Sequence, residues 1–330
     1  MSFKTTLCAT SAALALMTGT AAVAEDLTVG YFLEWPMPFQ YAKAMETYEE
    51  AMGVDINWVA FDTGTAMSAA MASGDVQISV SQGLPPFVVA ASAGQDLVIA
   101  DIAVSYSEND NCVVAETLEI DASSAKELEG KRVGVPIGTA AHFGFLKQMA
   151  HFDVDISTME IVDMAPPEGA AAFAQGSLDM VCGWGGALRR MKEHGNVLMN
   201  GAEKEAAGIL VFDVISAPSA FAAEEGEMLS QFLKITAEAN AMWNAGTDKA
   251  KMIEVIAKDA GMEIADTEAT MATFSFPSTE EALSEKWLGG GVQDFMVGVA
   301  GVFATAGSIP QALDSYDASV DASYLSAVAD

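Results

Sequence analysis

Two stretches of the chain repeat an uncommon pattern, and the repeat constrains the fold more than any other feature. The first reads Ala69-Ala70-Met71-Ala72-Ser73-Gly74-Asp75-Val76-Gln77-Ile78; the second, Ala171-Ala172-Phe173-Ala174-Gln175-Gly176-Ser177-Leu178-Asp179-Met180, begins 102 residues later. Each predicts a helix that ends at glycine and runs into a strand, since glycine is favoured just past a helix end and Val, Ile, Leu and Met suit a strand. Upstream, strand-like Leu27-Thr28-Val29-Gly30-Tyr31 pairs with Lys131-Arg132-Val133-Gly134-Val135, which starts 104 residues after Leu27. Further strands are expected over 54–61 and 159–164. Each half thus alternates strand and helix, the signature of an α/β fold with a mostly parallel sheet covered by helices on both faces, and here it occurs twice.

In open α/β sheets ligands sit outside the carboxyl ends of the strands. Two facing lobes would hold a ligand between the loops that follow corresponding strands: 32–38 with 137–142, and 81–86 with 182–186. Beyond residue 212 the pattern turns helical, over 224–244, 249–260, 279–286 and 293–306. Gly289-Gly290-Gly291 reads as a flexible connection, because no Lys-Ser/Thr follows to make a phosphate loop.

The first residues read as a secretory signal peptide: Lys4, an apolar run from Leu7 to Met17, and small residues before cleavage after Ala24. The run is too short to span a bilayer, so a soluble mature chain exported to the periplasm is expected. The sequence carries 15 Lys plus Arg against 46 Asp plus Glu, a net charge of −31, which repels nucleic acid and anionic lipid. About 300 mature residues fit two lobes. Cys112 and Cys182 remain after cleavage and read as buried thiols, although an oxidising compartment would permit a disulfide between them. His142, His151 and His194 lack metal-ligand spacing, and neither a Gly-x-Ser-x-Gly elbow nor a Gly-x-Gly-x-x-Gly turn is present. No catalytic residue, metal or cofactor is expected.

Phe61-Asp62-Thr63-Gly64 followed by 72–78 resembles the periplasmic taurine- and sulfonate-binding proteins of ABC importers. So do Val135-Pro136 with Thr139 and His142, the stretch from Pro166-Pro167 to Asp179, the strand end at Trp184, and Phe212-Asp213-Val214. The resemblance implies a two-lobed type II periplasmic binding protein, with lobe 1 formed by 25–105 and 214–330 and lobe 2 by 106–213, and hinge closure around the ligand. It also implies a monomer that delivers taurine to ABC permease and ATPase subunits. Two segments depart from the taurine-type pattern: Gln82-Gly83-Leu84-Pro85-Pro86 replaces small hydroxyl residues, and Glu34-Trp35-Pro36-Met37-Pro38 is bulky and apolar. Another sulfonate, an amine or a pyrimidine precursor are the alternative ligands, and an enzyme or a sensor module the alternative uses of the fold.

Within this resemblance, Gly138-Thr139-Ala140 opens a helix whose free N–H groups suit a sulfonate, and His142 is a further donor. Asp213 is the expected partner of the ligand ammonium, with Glu34 and Asp110 as further candidates. Trp184 and Trp35 would wall the cleft, while Gln82, Gly83 and Asn111 supply polar contacts. Arg132, Arg189 and Arg190 read as surface residues.

Overall fold

The computed structural model describes residues 27–329; the signal peptide expected over 1–24 lies outside them. Ten strands form two sheets. The first sheet contains β1 (Leu27–Phe32), β2 (Ile56–Phe61), β3 (Ile78–Gly83), β4 (Leu97–Tyr106) and β10 (Val211–Pro218), in the order β2-β1-β3-β10-β4. The second contains β5 (Asp110–Ala115), β6 (Arg132–Val135), β7 (Glu160–Asp163), β8 (Met180–Trp184) and β9 (Gly195–Val197), in the order β7-β6-β8-β5-β9. The two orders are the same topology: a strand pairs in parallel with its two neighbours, and one antiparallel strand is inserted beside the third.

That inserted strand is the one that has just crossed from the other sheet. β5 enters the second sheet directly after β4, and β10 enters the first after the chain has completed the second. The repeat in the sequence therefore corresponds to a repeat of sheet order. Both helices of the repeated motif end as expected, with Gly74 at φ 83° and Gly176 at φ 71°, left-handed conformations that glycine adopts without Cβ strain.

The central strands are buried along their length: every residue of β3, and all but one of β4 and β10, is shielded from solvent. Burial along the whole strand is what a sheet covered on both faces requires. After β10, the helices Gly226–Asn244 and Lys249–Ala260 pack on the first lobe, where Tyr48 stacks on Phe232 at 4.6 Å and meets the Thr236 hydroxyl at 2.8 Å. The Gly291–Thr305 helix reaches the other lobe, its Phe303 stacking on His142 at 5.3 Å. Gly289, Gly290 and Gly291 are not a flexible connection. Their N–H groups donate to Ser284, Trp287 and Glu285, and a Cβ on Gly291 would lie 2.1 Å from the Lys286 carbonyl oxygen, so they form a tight turn that only glycine fits.

The two cysteines are also not thiols. Cys112 of β5 and Cys182 of β8 face each other across the antiparallel pair, with Cα atoms 3.9 Å apart, and are joined by a disulfide. Pairing was hidden from the sequence because it depends on strand register. The bond spans a separation of 70 residues and ties together the strands that end at Asp110 and Trp184. Loop-closure entropy for a ring of that size amounts to about 4 kcal/mol. Reduction, or a Cys112→Ala/Cys182→Ala pair, is expected to lower unfolding free energy by about 2–5 kcal/mol in denaturant titration; an unchanged midpoint would show that the bond contributes nothing.

Candidate ligand-binding site

Strand ends and crossing segments from both lobes converge on one cavity. Phe32 ends β1, Gly83 ends β3 and Trp184 ends β8, as the loops after corresponding strands predicted. Tyr106 at the end of β4, Asp110 at the start of β5 and Asp213 near the start of β10 come from the crossings between sheets. Trp35, Gly64, Pro86, Thr139 and Ala140 complete the lining.

Aromatic rings form much of the wall. Trp35 is buried edge-on to Tyr106, with ring centroids 4.7 Å apart, and backed by Phe274 at 4.6 Å. Phe32 and Trp184 approach from opposite lobes, 6.2 Å between centroids. The Trp35 indole N–H donates to Ser81 Oγ at 2.8 Å, and Ser81 in turn donates to Asp213 Oδ2 at 2.6 Å. Tyr106 donates to Asp213 Oδ1 at 2.6 Å. Ser81 holds this place with φ 67°, a left-handed conformation that costs a serine free energy and persists where surrounding contacts fix it.

Asp110 is the second carboxyl of the cavity. Its Oδ2 is buried without a hydrogen-bond partner, and Lys204, itself buried, donates to its backbone carbonyl rather than to the carboxylate. Burial pushes both acids up to about 7; the Lys204 charge opposes the shift at Asp110, and the Ser81 and Tyr106 hydrogen bonds oppose it at Asp213.

Two helix N-termini meet the cavity from opposite lobes, one opening at Gly64 and the other at Ala140. Thr139 caps the second: its hydroxyl accepts from His142 N–H at 3.4 Å and donates to Pro136 O at 2.6 Å. The Ala140 N–H has no partner among the described residues, so it is free for an anion. A third helix, Leu84–Ser92, also begins here, but Pro85 and Pro86 in its first turn have no N–H to give.

Other expected site residues sit elsewhere. The Gln82 amide is turned into the first lobe, donating to Gly64 O and Ser68 Oγ and accepting from Ser216. Asn111 donates to Met199 O and accepts from Gln148, inside the second lobe. Gly138 spends its N–H on His142 Nδ1 at 3.2 Å and lets Thr65 and Val89 of the first lobe approach closely. His142 is buried behind that loop, its pKa lowered by burial to about 4, and it stays neutral near pH 7. Glu34 is not an ammonium partner: Arg190 takes it in a two-armed ion pair at 2.5 and 2.9 Å, and Gly186 N–H donates to its carbonyl. Arg189 is exposed and Arg190 partly so, as expected of surface residues, and both also join the lobes, Arg189 through Asp266 at 3.2 Å. Arg132 remains exposed beside Glu160. Tyr106, Ser81 and Gly64 were missed individually, although 81–86 was a marked loop and Gly64 closes a marked motif.

An acid whose folded pKa exceeds its unfolded value of 3.8 binds protons more tightly when folded, so it removes stability as pH rises from about 4 to about 7 and the loss is complete above. Asp110→Asn is accordingly expected to raise the melting temperature more at pH 8 than at pH 5, by about 2–4 °C for each kcal/mol recovered. An equal gain at both values would show that the carboxyl is not raised.

Comparison with known proteins follows this geometry. The chain is 26% identical over 299 residues to the taurine-binding periplasmic protein of Escherichia coli strain K12, covering 89% of this chain and 91% of that one. The alkanesulfonate-binding protein SsuA of Xanthomonas axonopodis pv. citri, solved bound to MOPS, has a TM-score of 0.73 at 22% identity and covers 91% of this chain and 99% of its own. The periplasmic aliphatic sulphonate binding protein SsuA of Escherichia coli gives a TM-score of 0.68 at 21% identity, covering 88% and 95%. The fold is thus the two-lobed fold of periplasmic binding proteins. Residues 37–250 match the family described as NMT1/THI5 like, and the chain belongs to that family.

Proposed function

We propose that this chain is the periplasmic solute-binding component of an ABC import system and that it captures a small zwitterion carrying a sulfonate and a primary ammonium, taurine being the simplest. The observation that carries the reading is the pairing, in one cavity, of two buried carboxylates with a helix N-terminus that has N–H to spare. Asp213 and Asp110 supply acceptors for the ammonium, and Trp35, Tyr106 and Trp184 supply rings that attract a cation and cover the alkyl chain. The sulfonate lies against the backbone at Thr139 and Ala140, with Gly64 opposite. The similarity to a taurine-binding periplasmic protein supports the same ligand. The likeness to SsuA proteins keeps an aliphatic sulfonate without the amine as the second reading. Against it stands the charge of the cavity: with two acids in its wall and no Lys or Arg side chain lining it, a purely anionic ligand meets repulsion that a zwitterion does not.

Calorimetric titration separates the two. Asp213→Ala should weaken taurine by about 2–5 kcal/mol, the cost of breaking a buried charge pair, while ethanesulfonate, which has no amine, should lose far less. Equal weakening of both would remove Asp213 from the ammonium. Trp184→Ala is expected to reduce taurine affinity about tenfold or more, with the thermal transition kept, because the ring is half-buried on the cavity wall. A collapsed transition would instead make it a core residue.

A further inference from the structure

Asp110 and Asp213 reach the cavity from the two crossings between sheets, and their surroundings differ. Both Asp213 oxygens accept a hydroxyl proton, from Ser81 on β3 and Tyr106 on β4, each at 2.6 Å. Asp110 Oδ2 accepts none and is buried. The cation whose charge acts on Asp110 is Lys204, from the Gly201–Ala206 helix; it is tied to the Asp110 backbone and lies among Glu108, from the turn before β5, Glu205 and Lys192. His142, from the Ala140–His151 helix, is neutral and bound to Gly138.

Two buried carboxylates on a cavity wall that carries no Lys or Arg side chain cannot both ionise cheaply. Once one has lost its proton, burial and the first charge together hold the second. The orphaned Asp110 oxygen is where a hydrogen-bond donor is needed, and either a retained proton or a ligand N–H meets that need.

We propose that Asp110 and Asp213 together retain one proton in the unliganded protein and that the ammonium of the ligand replaces it, so that capture of an aminosulfonate expels a proton into solution. The exchange balances: a protonated acid, a carboxylate and an ammonium become two carboxylates around one ammonium plus a free proton. It rests on the aminosulfonate reading of this site and deepens it, because a sulfonate lacking the amine has nothing to exchange. The raised titration of both acids supports it.

Titration calorimetry of the mature protein with taurine and with ethanesulfonate, at pH 6.5 in phosphate and in bis-Tris, reads the exchange directly, since a released proton adds the buffer's ionisation heat. The expected result is a release of about one proton per taurine and about none per ethanesulfonate, with the taurine Kd rising about tenfold for each pH unit below about 7. Asp110→Asn should abolish the buffer dependence and flatten that slope. Taurine binding with the same heat in both buffers would overturn the exchange and leave the aminosulfonate reading standing. Failure to bind taurine at any pH between about 6 and about 8 would overturn the reading itself, and the exchange with it.

Discussion

The polar half of the cleft depends on a topological constraint: each sheet takes one antiparallel strand from the crossing segment, and the crossing strand starts at the cavity. β10 lies between β3 and β4, with Asp213 opposite Gly83 on one side and Val104 on the other. β5 lies against β8, with Asp110 opposite Trp184. Side chains at the start of such strands sit beside the hinge whatever the lobes do, and they are within reach of groups from both. Asp110 and Asp213 are both of this kind, and Tyr106 closes the strand that leads into the first crossing, which is why the titratable groups of the site are grouped there and not on the loops that follow the parallel strands. The disulfide two residues beyond Asp110 and two before Trp184 fixes the same pair of strands.

Closure has its own supports. Glu34, in a left-handed conformation at φ 53°, is held by its N–H to Ala260, by its carbonyl to Gly186 and by its carboxylate to Arg190. Arg189 adds a second ion pair between lobes, to Asp266. Exposed ion pairs of this sort are individually worth little, about 0–1 kcal/mol. Small terms of this size leave room for hinge motion, since two conformers in exchange need a gap of only a few kcal/mol. A net charge of −31 does not steer a net-neutral zwitterion, so discrimination falls to the cavity itself.

The repeated strand–helix units and the loops that border the cleft were legible in the sequence because they follow from periodicity: helix, glycine and strand recur at matched spacing, and strand ends in open α/β sheets face the ligand. Trp35, Gly83, Thr139, Ala140 and Trp184 lie in those loops and line the cavity, while Asp213 and Asp110, which also line it, were marked by the family resemblance. Tyr106 and Ser81 carry no such mark. A tyrosine at the end of an apolar strand and a serine inside one look like ordinary strand residues, and only the position of β10 between β3 and β4 brings their hydroxyls to one carboxylate. Gln82 fails in the opposite sense, because side chains alternate along a strand: Gly83 faces the cavity and its neighbour faces the lobe interior. The place of Arg190 one turn into a helix marks it as a surface residue but not its ion pair across the lobes, since the partner is 156 residues away.

The two ends of the cavity are built from different material, and this bears on how one fold serves several ligands. The anion end is mostly backbone: N–H groups at the opening of the Ala140–His151 helix and at Gly64, positioned by caps at Thr139 and Thr63. Backbone donors survive most side-chain changes, so an anion site of this kind depends little on which side chains surround it. The other end is side chains alone, two acids with the hydroxyls and rings that orient them. Replacing either acid by an apolar residue would remove the need for an ammonium without disturbing the helix that receives the anion. Prolines at 85 and 86 sharpen the asymmetry by silencing a third helix start, which leaves the second lobe as the main source of donors. On the proposed aminosulfonate reading, ligand choice is set where the chain crosses between lobes, and anion capture where the repeated strand–helix unit ends.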